Sequence, residues 1–277
     1  MEVSPLLTDL ERQHLESPVR PMDKGPRSPT ARRRKAVDHF GLSLQPAKRW
    51  YLPLKASVEY SLAATLFILA VPIIIGAAVL VKLTSRGPAF YTQTRVGRNG
   101  RFFTIYKIRT MVHDCESLTG PRWSMPGDPR ITKVGAWLRK THTDELPQLI
   151  NVLRGEMSLI GPRPERPEFL PRLERVIPLY RNRLAVRPGI TGLAQVHLGA
   201  DTEVEDVRKK LAYDLFYICH LSPWLDFRIF LATACYALGD PWNLMKKWPL
   251  VPQGEKVEQT PKLMMPNDLP GRERKCA

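Results

Sequence analysis

Two adjacent carboxylates, Asp144 and Glu145, stand in the stretch THTDELPQLINVLRGEMSLIGPRP (141–164), with Arg139 and Lys140 just before them and Arg163 just after. Thr143 is a good N-cap, which places both acids in the first turn of a helix, at the positive end of its dipole. A carboxylate kept ionised there can bind a metal ion or attack as a nucleophile. Most acid pairs in a first turn only complement the dipole. The neighbouring cations single this pair out, because carboxylates ringed by cations suit a polyanionic substrate with a bridging metal.

The elements that must position these groups are readable around them. Leu146, Leu149, Ile150 and Leu153 give the helix one apolar face, and Pro147 is tolerated in its first turn. Gly155 ends it, and Gly161-Pro162-Arg163-Pro164 makes a stiff turn that holds one guanidinium in place. Upstream, AFYTQTRV and RFFTIYKI flank Gly97-Arg98-Asn99-Gly100 and read as a hairpin over 89–108. Lys107 and Arg109, two apart, share a face if the second strand runs that far. Residues 113–130 read as a loop and 131–140 as a short helix that brings Arg139 close to Asp144. Downstream, 165–184 is helical in pieces between prolines. Arg187-Pro188-Gly189-Ile190-Thr191-Gly192 reads as a tight turn whose N–H groups, with Arg187, can hold a phosphate. Residues 204–220 and 224–238 read as helices. The second is either interfacial, with Trp224, Phe227, Phe230 and Leu231 on its wet–apolar boundary, or packed in a core.

The chain of 277 residues carries a formal charge of +15. Residues 1–50 contribute ten Lys/Arg and six Asp/Glu, so most of the excess lies in the body, which suits phosphorylated substrates, anionic lipid or nucleic acid. The four cysteines form no CxxC, which argues against a zinc site or a disulfide framework. Leu62 to Val81 is an uncharged 20-residue run, LAATLFILAVPIIIGAAVLV, long enough for a membrane segment. Pro72 interrupts its backbone ladder. Lys48, Arg49 and Lys55 precede it, and Lys82, Arg86, Arg95, Arg98 and Arg101 follow, so the positive-inside rule assigns both ends to the cytoplasm. A re-entrant helix that bends at Pro72 satisfies that; an ordinary kinked span is the alternative. Trp50, Tyr51 and Tyr60 suit an interfacial anchor.

Taken together, these blocks resemble the bacterial sugar transferase family, the monotopic polyprenyl-phosphate hexose-1-phosphate transferases. The likeness rests on the apolar run with Pro72, RVGRNGRFFTIYKIRTM (95–111), DPRITKVGAWLRKTHTDELPQLINVLRGEMSLIGPRPERPEF (128–169), RPGITGLAQV (187–196) and YDLFYICHLSPWLDFRIFL (213–231), in family order. The chain departs from the family pattern at Val71, where many relatives have Ser, and at Leu193, where Trp is common. The resemblance implies an α/β fold, mostly helical with a small β-hairpin, on a re-entrant N-terminal helix with a cytosolic catalytic domain. It implies a bacterial inner-membrane enzyme that passes hexose 1-phosphate from a UDP-sugar to polyprenyl (undecaprenyl) phosphate and releases UMP, starting a lipid-linked glycan. Asp144 would be the nucleophile and Glu145 would assist by metal or proton handling. Mg²⁺ would be held by Asp144, and Lys107, Arg139, Arg163, Arg187 and, less directly, Arg109 would contact phosphates. Its partners would be the UDP-sugar, the lipid phosphate and membrane lipids, with no nucleic acid. The expected organisation is a basic extension (1–50), the membrane helix (51–86), the catalytic domain (87–240) and a loose tail (241–277). Two rivals are a membrane glycosyltransferase releasing UDP and a non-enzymatic basic scaffold on the membrane.

Overall fold

The computed structural model describes residues 50–117, 120, 122–125, 127–199 and 203–237, with isolated positions at 46, 48, 252, 254 and 257. The expected basic extension and C-terminal tail therefore lie almost wholly outside the described residues.

The first helix, α1 (Tyr51–Thr84), contains the whole apolar run and continues unbroken through Pro72. Its buried positions (Tyr51, Lys55, Glu59, Ala63, Ala70, Ile74, Ala77 and Val81) form one stripe. Alanines dominate the middle of that stripe and let the backbone come close to its neighbours. The large side chains point the other way: Ile68, Leu69, Ile73, Ile75, Val79 and Leu83 are all exposed. Transfer of each from water to an apolar medium is worth about 1.5–3 kcal/mol, so this face calls for lipid. Among the described residues α1 is the one helix long and apolar enough to cross a membrane, with a mean hydropathy of 2.7 over its most apolar window. Only 22% of that window is buried, which separates it from an ordinary core helix. Two details differ from expectation. Tyr51 turns inward and bonds Asp226 instead of anchoring at an interface. Lys55, counted above as a basic flank, is buried in ion pairs with Glu59 and Asp226.

The hairpin is present, with β1 (Phe90–Val96) antiparallel to β2 (Phe102–Ile108) and Phe90 opposite Ile108. Asn99 and Gly100 take left-handed conformations in its turn. Helix α2 (Lys133–Lys140) is capped by Thr132, whose hydroxyl accepts the Gly135 N–H at 2.9 Å. The acidic segment then begins as a 3₁₀-helix (Thr143–Gln148) and continues into α3 (Leu149–Leu153). Thr143 does not cap it; His142, at φ 54°, does so without a side-chain bond, and the Thr143 hydroxyl pairs with that of Thr141. Pro147, which has no N–H to donate, is accommodated inside this 3₁₀ segment. Gly155 ends the segment as expected, at φ 72°.

The two motif blocks GPRP and RPGITG turn out to be one structure. Strand β3 (Ser158–Ile160) pairs in parallel with β4 (Gly189–Thr191). Residues expected as a tight anion-cradling turn at 187–192 include this strand, and the pairing takes up the Gly189 N–H. The Gly189 N–H donates to Pro162 O at 2.9 Å and the Gly161 N–H to Thr191 O at 2.9 Å. The approach is close enough that a Cβ on Gly189 would sit 2.1 Å from the Gly161 nitrogen. Helix α4 (Leu170–Val176), a 3₁₀ piece (Tyr180–Ala185), α5 (Leu193–His197), α6 (Val204–Cys219) and α7 (Pro223–Ala237) complete the described chain. A capping box between Glu203 and Asp206 starts α6. Helix α7 buries Leu225, Ile229 and Ala232 and exposes Trp224, Phe227, Phe230 and Leu231, with the Trp224 and Phe227 rings stacked. The architecture is thus mostly helical with two small sheets. One core joins the inner stripe of α1 to α3, β3, α6 and α7.

Candidate active site

The 3₁₀-helix brings Asp144 and Glu145 against the end of β2, and their environments differ. Glu145 is paired on both sides. Lys107 Nζ lies 2.6 Å from Glu145 Oε1, and Arg163 Nη2 reaches the same oxygen at 2.6 Å, with Nη1 3.3 Å from Oε2. These two cations hold its carboxyl well below the usual range in spite of burial. Lys107 itself is pushed down by burial, and Glu145 works against that shift.

Asp144 is buried at 7% exposure, and its side chain has no hydrogen bond or ion pair among the described residues. Burial pushes its carboxyl up, and the charge on Glu145 adds to that; Lys107, Arg139 and Arg163 pull the other way. A helix terminus was expected to keep both acids ionised. That holds for Glu145. For Asp144 desolvation outweighs the three cations, and a cationic ligand or a metal ion at its oxygens would favour the ionised form.

Arg139 is directed from α2 by two hydroxyls. Its Nε donates to Thr110 Oγ1 and its Nη1 to Ser124 Oγ, both at 2.9 Å. The fold places the Thr110 and Ser124 hydroxyls at Arg139, contacts that sequence spacing alone did not reveal. Next to them, Arg130 and Asp128 form a buried pair at 2.6 Å.

Among the cations expected at phosphates, the structure brings together Lys107, Arg139 and Arg163 around the acids. Arg109 goes elsewhere. Strand β2 ends at Ile108, and Arg109 donates to the carbonyls of Ser85 and Arg86 and to the Ser85 hydroxyl, closing the end of α1. Arg187 lies beside Gly155, at the opposite end of α3 from Asp144. Pro72 lies within α1.

As for a metal, no group of three or more His, Cys, Asp or Glu side chains is found among the described residues. With the Glu145 oxygens occupied, the protein offers the hard oxygens of Asp144. That fits Mg²⁺, which keeps its waters and commonly takes one or two carboxylates plus substrate phosphates.

A buried carboxylate beside three cations is an arrangement that suits phosphate chemistry. The chain is 44% identical over 183 residues to a UDP-N-acetylgalactosamine-undecaprenyl-phosphate N-acetylgalactosaminephosphotransferase of Aeromonas hydrophila, covering 66% of this chain and 43% of that protein. It is 38% identical over 209 residues to an undecaprenyl-phosphate glucose phosphotransferase of Komagataeibacter xylinus, covering 71% and 39%. It is 40% identical over 188 residues to the exopolysaccharide production protein PSS of Rhizobium leguminosarum bv. phaseoli, covering 66% and 94%. The chain thus spans less than half the length of the first two. The model of the bacterial sugar transferase family matches residues 50–240, which include α1, the hairpin, both acids and all three cations, and the chain belongs to that family.

Proposed function

We propose that this protein transfers hexose 1-phosphate from a UDP-sugar to a polyprenyl phosphate such as undecaprenyl phosphate, releasing UMP, as the first membrane step of an exopolysaccharide, O-antigen or capsule. The observation that carries this reading is the division of labour between the acids: Glu145 is committed to Lys107 and Arg163, while Asp144 is buried with no side-chain partner among the described residues. An Asp144 oxygen attacks the sugar-bearing phosphorus. The bond from that phosphorus to the bridging oxygen breaks, and UMP leaves with the electron pair. The phosphosugar, now an acyl phosphate on Asp144, is then taken by an oxygen of the lipid phosphate, which frees the carboxylate. Lys107, Arg139 and Arg163 bind and orient phosphate oxygens, and Glu145 keeps two of these cations in place. Mg²⁺, when bound, would be held by Asp144 and would supply charge neutralisation between groups that otherwise repel.

The catalytic unit occupies 87–240 and sits on the cytoplasmic face of the inner membrane. Monotopic attachment is supported by the buried stripe of α1, which contacts the same body from Tyr51 to Val81. A helix crossing the bilayer would carry its two ends to opposite sides. In a re-entrant arrangement, Pro72 weakens the ladder at the deepest point.

The test is UMP release by purified protein with Mg²⁺ and a panel of UDP-sugars, including UDP-glucose and UDP-N-acetylgalactosamine, with and without undecaprenyl phosphate. Lipid-dependent UMP release that chelation abolishes is expected. Release of UDP instead would replace the reading with sugar transfer alone.

A further inference from the structure

A second set of buried charged groups lies where α1 meets β3 and α7. Lys55 Nζ sits 2.7 Å from Glu59 Oε1 and 2.8 Å from Asp226 Oδ2. Tyr51 donates to Asp226 Oδ2 at 2.7 Å. The Tyr217 hydroxyl lies 2.7 Å from Asp226 Oδ1 and 3.2 Å from Ile160 O, sharing its one proton between them. If this cluster served only to attach a helix, it could stop at the Lys55–Asp226 pair. Glu59 extends it. Its Oε1 also accepts the backbone N–H of Ile160 at 3.1 Å, and its Oε2 takes the Ser158 hydroxyl.

Ile160 is the residue before the Gly161-Pro162-Arg163-Pro164 turn. From Ile160 to Pro164 every residue is fixed through its backbone. Gly161 N–H and Pro162 O are taken by β4. Arg163 O accepts from Arg183 Nη2 at 2.9 Å and Pro164 O from Arg95 Nη1 at 3.1 Å. Only the Ile160 N–H is held from α1. Two prolines stiffen the turn, so a shift at its start is carried to Arg163. The Arg163–Glu145 contact at 2.6 Å has little tolerance for such a shift, and displacements of about 1 Å at a binding group are enough to lose about 100-fold in rate.

We infer that Glu59 is a positioning residue. By holding the Ile160 amide it sets the turn that delivers Arg163 to Glu145, so α1 is part of the frame of the phosphate site as well as its membrane attachment. A carboxylate accepting a backbone N–H makes a stronger bond than a neutral acceptor does, which suits a fixed reference point.

The experiment uses the full chain in detergent, with Glu59→Gln and, as a second variant should the first not fold, Glu59→Asp. The first readout needs no activity. The reaction of Arg163 with an arginine-selective glyoxal reagent is followed by peptide mass spectrometry, with surface Arg208 of α6 as internal reference. A several-fold change at Arg163 with no change at Arg208 is expected. The second readout, resting on the transfer reaction proposed above, is a double-mutant cycle with Arg163→Ala. Glu59→Gln should lower kcat/KM by about 10- to 100-fold alone and by less than about twofold in the Arg163→Ala background. Unchanged Arg163 reactivity in a folded variant, or equal losses in both backgrounds, would overturn the inference. A wild-type protein that turns over no UDP-sugar would sink the proposed reaction instead, and Arg163 reactivity would still decide the role of Glu59.

Discussion

Replacing Asp144 by Asn keeps the shape of the side chain and removes the carboxylate proposed as nucleophile. UMP release is expected to fall by at least about a thousandfold, and the covalent phosphosugar mass expected on the wild-type chain with donor alone should not form. The melting temperature should not fall, because the lost carboxylate is buried and pushed toward its neutral form. Glu145→Gln should behave differently. It leaves Lys107 and the partly exposed Arg163 without their counter-charge, a loss on the order of 2–4 kcal/mol, readable as a lower melting temperature together with a lower kcat/KM. A variant pair with the reverse pattern, stability lost at Asp144 and kept at Glu145, would exchange the roles assigned to the two acids.

At the scale of elements, the pairing of β3 with β4 joins the two blocks that the site depends on. Gly189→Ala is expected to destabilise the protein by about 1–3 kcal/mol, because the added methyl meets the Gly161 backbone and neither strand can yield alone. Thermal unfolding in detergent measures it. A neutral result would mean that the two strands separate more easily than their hydrogen bonds indicate. On the same scale, the acidic helix starts as a 3₁₀ segment that sets Asp144 and Glu145 at the end of β2.

For the molecule as a whole, the orientation of α1 decides which compartment the site faces. Its outer face carries large apolar side chains and its inner face carries alanines and a buried ion cluster, so lipid and protein each have a side. Tags fused to the two ends should both be accessible from the cytoplasmic side in intact cells, and a tag accessible only from outside would rule out same-side attachment. The exposed Trp224 and Phe227 of α7 add a second apolar surface next to the Lys55–Asp226 contact.

The sequence by itself determined the features that depend on neighbours along the chain. The apolar run, the hairpin with its Asn-Gly turn, the Gly155 stop and the acid pair among cations all follow from local spacing and local backbone chemistry. Features that depend on distant partners were decided by tertiary structure. Arg109 shared a face with Lys107 by its spacing, yet the end of β2 directs it to the carbonyls of Ser85 and Arg86, just past α1. The electrostatic difference between Asp144 and Glu145 lies in Lys107 and Arg163, which come from other elements. RPGITG looked like an anion-binding turn because its parallel partner lies about 30 residues away, beyond the reach of any local pattern. Lys55 and Glu59 showed a helical i, i+4 pair, and only packing against Asp226 and Ile160 made it a buried hub. The physical reason is common to all four. Burial and charge compensation are properties of the assembled core, and a side chain acquires them only when its distant neighbours arrive.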